Sequence, residues 1–286
     1  MKIIENVSMK KYTTYRTGGS VKVMYFPQNE EELIDKIKEL NNNNEKFYVI
    51  GNGSNLIVDD NDFDGSIINT KELNNYNLED GKLTCECGVM LPVVANKMVN
   101  ESYSGLEWAV SIPGTIGASI LNNAGAYGGE MSDVIESVRV LDENYEIKEL
   151  SNSECEFEYR DSIFKKTRKY IILSCVINLE YADMEEMKEK VEDRKKRRIE
   201  SQPLEYPSAG SVFRNPPDNF AGKLIEDSGF KGKMEGGAQV SEKHANFIIN
   251  KNHATGSDIV KLIKDIKSTV KEKYNIDLVL EQEIVK

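Results

Sequence analysis

The chain has only two histidines and four cysteines in 286 residues. That scarcity works against a zinc centre, whose ligands come chiefly from these two residue types. Cys85 and Cys87 are close together, but a Cys-x-Cys pair with no second pair nearby is a weak metal pattern. Their run, LTCECGV, alternates like a strand and would put both thiols on one face. With Cys155 and Cys175, they are expected to be buried, reduced thiols. Basic residues are also short: 37 Lys and Arg against 48 Asp and Glu leave a formal net charge of −11. General nucleic-acid binding rests on cation–phosphate contacts, so that class is disfavoured, whereas a local basic pocket for a small anion is not. No apolar run approaches a membrane span; 171–179 is among the longest and is strand-sized. Residues 1–7 are too polar for a signal peptide, so the expected location is the cytoplasm. No G-x-S-x-G occurs, which argues against a nucleophile-elbow hydrolase.

The length suits one large domain or two to three smaller ones. Residues 21–26 read as a strand. Asn29 then caps a helix, with Glu32 placed for a capping box and Leu33, Ile34, Ile37 and Leu40 as its apolar stripe. Short strands are expected at 47–50 and 56–58, and further strands at 137–141 and 170–179. A charged helix over 183–200 carries a thin stripe of Met184, Met187, Val191 and Ile199. Its end near Pro203 is the best candidate domain boundary, and its basic run 194–198 reads as a solvated face. Beyond it, a helix over 220–228 stops at Gly229, a strand covers 246–249, and a helix over 257–274 carries Ile259, Leu262, Ile263, Ile266 and Val270 at helical spacing. A closing strand is expected over 277–285.

Two stretches carry chemistry. Residues 105–129, GLEWAVSIPGTIGASILNNAGAYGG, hold six glycines and one proline around two apolar runs. Such a segment lets a ligand approach the main chain closely, so backbone amides wrapped around a phosphate-bearing cofactor compete with a plain, tightly packed loop. Residues 51–55, GNGSN, link two strands with a tight curve of N–H groups and a hydroxyl, a shape that binds anions or simply turns the chain. GNGSN does not match G-x-G-x-x-G, and a strand rather than a helix follows it.

The order of motifs is specific: YRTGG at 15–19, GNGSN at 51–55, IPGTIGASILNNAGAYG at 112–128, YRDSIFK at 159–165, GSVFRNP at 210–216 and LEQEI at 280–284. This order resembles the UDP-N-acetylenolpyruvoylglucosamine reductases along essentially the whole chain, and the compact second type of that family in particular. The resemblance implies an α+β chain with a vanillyl-alcohol-oxidase type, PCMH-like FAD-binding fold. Two α+β lobes, about 1–70 and 71–182, would form the FAD-binding domain, and 183–286 a smaller α+β substrate-binding domain.

The resemblance also implies an activity: NADPH-dependent reduction of UDP-N-acetylglucosamine enolpyruvate to UDP-N-acetylmuramate for peptidoglycan. Hydride would pass from flavin N5 to the terminal enolpyruvyl carbon. By motif match, Arg160 would pair the substrate carboxylate, Ser211 would donate the proton and Glu283 would assist on the enol intermediate. The alternative for Arg160 is an ion pair with the adjacent Asp161. FAD would be held at Gly51, Asn52, Gly53, Ser54, Asn55 and Leu56, at Ile112, Pro113, Gly114, Thr115, Gly117 and Ala118, and at Gly125 and Tyr127. Asn215, Lys231 and His244 would hold the substrate diphosphate. The implied partners are the UDP-sugar and NADPH, with no nucleic acid, membrane or obligatory protein partner. Competing expectations are another FAD oxidoreductase of the same fold and a catalytically silent nucleotide-sugar or flavin binder. The chain departs from the usual pattern at Asn52 and Ala118, where glycine is common, at Arg214, where lysine is, and at Gln282, where proline is. Asn52 is expected to accept left-handed backbone, and Gln282 to make the last strand more regular.

Overall fold

The computed structural model describes residues 1–285. The chain divides into two compact units, each built from three stretches. The first takes Met1–Ile4, Met24–Asn52 and Ser66–Lys196; the second takes Glu5–Val23, Gly53–Gly65 and the chain from Arg197 onward. The division falls inside strands Lys2–Ser8, Ser20–Phe26 and Phe63–Asn69 and inside the charged helix.

The first unit is organised by a five-stranded antiparallel sheet. Its strand order is Ile147–Ser151, Ile135–Leu141, Ile171–Asn178, Lys82–Glu86, Tyr76–Glu79. In the register, Cys175 faces Cys85 and Ile177 faces Leu83 across neighbouring strands. Both pairs are fully buried, which is why this sheet can pack helices on that face. Burial pushes the Cys85, Cys87 and Cys155 thiols up to about 12, as expected of thiols that pack as small apolar groups.

Four helices lie wholly in this unit: α1 (Glu30–Asn42), α2 (Leu91–Asn100), α3 (Ile116–Leu121) and α4 (Ile163–Thr167); α5 (Met184–Ser201) begins in it. Asn29 caps α1 through Oδ1, which accepts the Glu32 N–H. The reciprocal bond differs from a capping box: the Glu32 carboxylate takes the Gln28 N–H and the terminal ammonium of Met1 instead. Leu33, Ile37 and Leu40 are buried, with Ile34 packed beside them. Each such side chain contributes roughly 1.5–3 kcal/mol on burial. On α5 the expected stripe holds only in part. Met187 and Val191 are buried, but Ile199 is 61% exposed. Its turn lies past the division at Arg197 and is tied instead by Lys243 Nζ donating to the Ile199 carbonyl.

The second unit packs α6 (Ala221–Asp227) and α7 (Gly256–Tyr274) with a three-stranded antiparallel sheet, Met234–Glu235, Ala238–Val240 and Ile248–Asn250. Gly229 ends α6 with φ +82°. Thr255 and Asp258 form a reciprocal capping box on α7, and the Asp60 carboxylate accepts the Gly256 and Ser257 N–H groups at 2.7 and 2.8 Å. Ile259, Leu262, Ile263, Ile266 and Val270 are all buried in the core of this unit. The closing strand is shorter than its alternation predicts. Only Glu283–Val285 is a strand, paired in parallel with Leu56–Val58, and Leu280 makes an isolated bridge to Phe213. Between them the main chain bends at Gln282, so the expectation of a more regular strand there fails. Among the described residues no helix is long and apolar enough to cross a membrane.

Candidate functional site

In the first unit the strand Phe47–Ile50 delivers Gly51 and Asn52 beside residues 113–115. Asn52 Nδ2 donates to the Pro113 carbonyl at 2.7 Å, and Asn52 Oδ1 accepts from Lys71 Nζ at 3.1 Å. A Cβ on Gly51 would land on Thr115 Oγ1. That hydroxyl is buried and has no hydrogen-bond partner among the described residues. A close backbone approach beside an unpaired buried hydroxyl suits a diphosphate oxygen, so these residues fit FAD. Asn52 is accommodated without left-handed backbone; the positive φ falls on Gly53 at +64°.

The glycine-rich stretch does two different jobs. The N–H groups of Ile112, Ile116 and Gly117 donate to the carbonyls of Ala109, Val89 and Cys87. A Cβ on Gly117 would meet Cys87 Cβ at 2.9 Å, so this glycine lets α3 pack closely on the chain just past the strand Lys82–Glu86. Further on, Asn123 is fully buried. Its Nδ2 donates to Glu130 Oε1 and to the Glu158 carbonyl, and its Oδ1 accepts the Ser132 N–H. Asn123 therefore ties the 123–132 hairpin to the turn that bears Arg160.

Residues 158–161 form that tight turn, closed by Asp161 N–H to Glu158 carbonyl at 3.0 Å. Arg160 sits in it at φ +57°. Such backbone costs a side chain roughly 1–2 kcal/mol and concentrates at functional positions. The guanidinium is steered by donation to the Gly125 and Asn123 carbonyls and lies over the Tyr159 ring, 5.3 Å from its centre. Thus Arg160 and Gly125 come together. Tyr127, also at positive φ, donates its hydroxyl to the Arg194 carbonyl at 3.0 Å, and the Arg194 guanidinium stands over its ring. Arg194 is therefore partly covered, unlike a fully solvated basic face.

In the second unit, Gly53, Ser54, Asn55 and Leu56 lie next to the chain end. Asn55 Nδ2 donates to the Glu281 carbonyl, and the Glu283 N–H donates to the Asn55 carbonyl. Glu283 pairs with Leu56 in the parallel ladder. A Cβ on Gly53 would strike the Tyr12 carbonyl. Ser211 reaches the same chain end by another route. The Glu281 N–H donates to the Val212 carbonyl at 2.9 Å, and the Arg214 N–H to the Val279 carbonyl at 2.9 Å, setting 210–214 antiparallel to 279–282. Ser211 and Glu283 thus belong to one cluster, with residues 53–56 in it.

Asn215, Lys231 and His244 gather around α6. Asn215 Oδ1 accepts the Ala221 N–H at 3.1 Å, and Lys231 Nζ pairs with Glu226 at 2.8 Å. A Cβ on Gly222 would lie 3.4 Å from His244 Cε1. Gly222 and Glu226 are one helical turn apart, so Lys231 and His244 approach one face of α6. His244 Nδ1 accepts the Asn246 N–H at 3.2 Å, which leaves the neutral ring's proton on Nε2. Burial, with the nearby Lys231 charge, holds His244 below its ordinary value, against a raising backbone hydrogen bond.

Sequence reasoning missed the groups that hold these positions: Asn123, Asn246 and the side chain of Gln282. Each is a buried amide that donates to main-chain carbonyls, and nothing in its sequence neighbourhood marks it, since Gln282 stands between two glutamates and Asn123 follows another asparagine.

Residues 202–285 match the model of the UDP-N-acetylenolpyruvoylglucosamine reductase C-terminal domain, and residues 21–151 match an FAD binding domain. A UDP-N-acetylenolpyruvoylglucosamine reductase of Caldanaerobacter subterraneus subsp. tengcongensis is 45% identical over 99% of this chain and 94% of its own length. The crystal structure of the Thermus caldophilus UDP-N-acetylenolpyruvylglucosamine reductase matches with a TM-score of 0.86 at 31% identity, covering 100% of both chains. 6-Hydroxy-D-nicotine oxidase from Arthrobacter nicotinovorans shares the fold alone, with a TM-score of 0.50 at 12% identity over 63% of this chain and 42% of that one. The fold is α+β, of the PCMH-like FAD-binding type, and the chain belongs to the UDP-N-acetylenolpyruvoylglucosamine reductase family.

Proposed function

We propose that this chain catalyses the FAD-dependent, NADPH-using reduction of UDP-N-acetylglucosamine enolpyruvate to UDP-N-acetylmuramate, in the cytoplasm and without an obligatory protein partner. The observation that carries the reading is the cluster in the second unit, where the Ser211 loop and Glu283 are fixed to one chain end beside residues 53–56. Residues 1–182 are assigned to the cofactor and 183–286 to the substrate.

FAD held by these residues would supply the hydride chemistry, with NADPH as the reductant. The amides of Ile112, Ile116 and Gly117 are already engaged, so the loop's contribution to the FAD diphosphate falls to Gly114, Thr115 and Ala118. Gly51 and Asn52, beside Thr115 and Pro113 in the same unit, join them. Arg160 holds the substrate carboxylate. As negative charge grows on the neighbouring carbon and spreads into that carboxylate, a fixed guanidinium stabilises it; loss of one such donor costs roughly 2.7–4 kcal/mol. Its planar fork stays charged throughout. The Ser211 hydroxyl gives its proton to the same carbon. A serine is a weak acid, so its loop must hold it in line with little freedom. Glu283 assists on the enol. His244, presenting Nε2–H, joins Lys231 and Asn215 in holding the diphosphate.

The test is direct. The purified protein should carry flavin and oxidise NADPH only when the enolpyruvyl substrate is present. Ser211→Ala should retain flavin reduction by NADPH and lose most reoxidation by substrate. Equal loss in both half-reactions would refute the proton-donor role.

A further inference from the structure

We infer that Gln282 is a positioning residue for Ser211, acting with Tyr15 to set the backbone that carries the serine hydroxyl. This rests on the reading of Ser211 as proton donor.

Gln282 is 4% exposed and Tyr15 is fully buried. Gln282 Nε2 donates to two successive carbonyls, Ala209 and Gly210, at 3.1 Å each. Tyr15 donates its hydroxyl to Gln282 Oε1 at 3.0 Å. Carbonyls only accept, so Nε2 must face the loop and Oε1 must face the phenol; the amide has one orientation. Successive carbonyls of extended chain point to opposite sides. These two reach one nitrogen because Gly210 takes φ +75°. The next residue is Ser211.

Just beyond the serine, the Val212 N–H donates to the Asn246 carbonyl at 2.8 Å. Residue 211 is therefore gripped on both sides. The phenol is itself located, since the Tyr15 carbonyl accepts from Asn250 Nδ2 at 2.9 Å and Asn250 Oδ1 accepts the Ala254 N–H at 2.7 Å. A proline at 282 could make none of the three side-chain bonds.

The test combines anaerobic stopped-flow half-reactions with a double-mutant cycle. Gln282→Leu should slow flavin reoxidation by the enolpyruvyl substrate about tenfold, while reduction by NADPH stays within about twofold. In the Ser211→Ala background the same change should cost less than about twofold, because the group it positions is gone. Tyr15→Phe, a milder change, should slow reoxidation about threefold with the same split, and it carries the test if Gln282→Leu does not fold. Equal slowing of both half-reactions, no slowing of reoxidation, or full additivity with Ser211→Ala would overturn the inference. If Ser211→Ala alone leaves reoxidation intact, the proton-donor reading has failed, an outcome distinct from additivity.

Discussion

The carboxamide of Asn246 holds both backbone groups of Phe213: Oδ1 accepts its N–H at 3.0 Å and Nδ2 donates to its carbonyl at 2.8 Å. Both residues are buried. Asn246→Ala leaves two main-chain groups without partners, at a cost of about 2–6 kcal/mol. Urea unfolding should show that loss. A change under about 0.5 kcal/mol would mean that the loop relaxes to find other partners.

The contact of Gly51 with Thr115 makes a prediction about FAD. Gly51→Ala forces the loop and the Thr115 hydroxyl apart. Affinity of the stripped protein for FAD should fall about tenfold or more, read by quenching of flavin fluorescence. Unchanged affinity would remove this loop from the cofactor site.

Arg160 should act late in turnover. Arg160→Lys keeps a charge but loses the planar fork that suits a carboxylate. Substrate-driven flavin reoxidation should drop about 100-fold, whereas reduction by NADPH should hardly change. A rise in substrate KM with kcat unchanged would assign Arg160 to uniform binding and not to the developing charge.

His244 makes stability depend on pH with a definite sign. Its folded-state pKa lies below the ordinary 6.5, chiefly through burial. As pH falls through about 6.5 the unfolded chain takes up a proton that the folded one refuses, so stability is lost in that window. The drop in melting temperature between about pH 7.5 and about pH 5.5 should be larger in the wild type than in His244→Gln. Equal drops would show that the imidazole titrates alike in both states.

Helix positions were legible from local pattern. The stripe from Ile259 to Val270 and the cap at Asn29 both appear where spacing put them, because a helix answers to neighbours three and four residues away. The last strand was not legible. Alternation predicted regular chain over 277–285, but Gln282 turns its side chain onto Ala209 and Gly210, 73 and 72 residues earlier, and the chain bends there.

The motifs alone determined the family and the candidate residues, since Arg160, Ser211 and Glu283 stand in the motifs YRDSIFK, GSVFRNP and LEQEI. Tertiary structure decided how those residues are held. Which amides of 112–118 are spent on protein carbonyls, why Gly117 must be glycine, and what grips the Ser211 loop all depend on distant partners. A buried carbonyl must find a donor, and sequence spacing does not reveal which donor it finds.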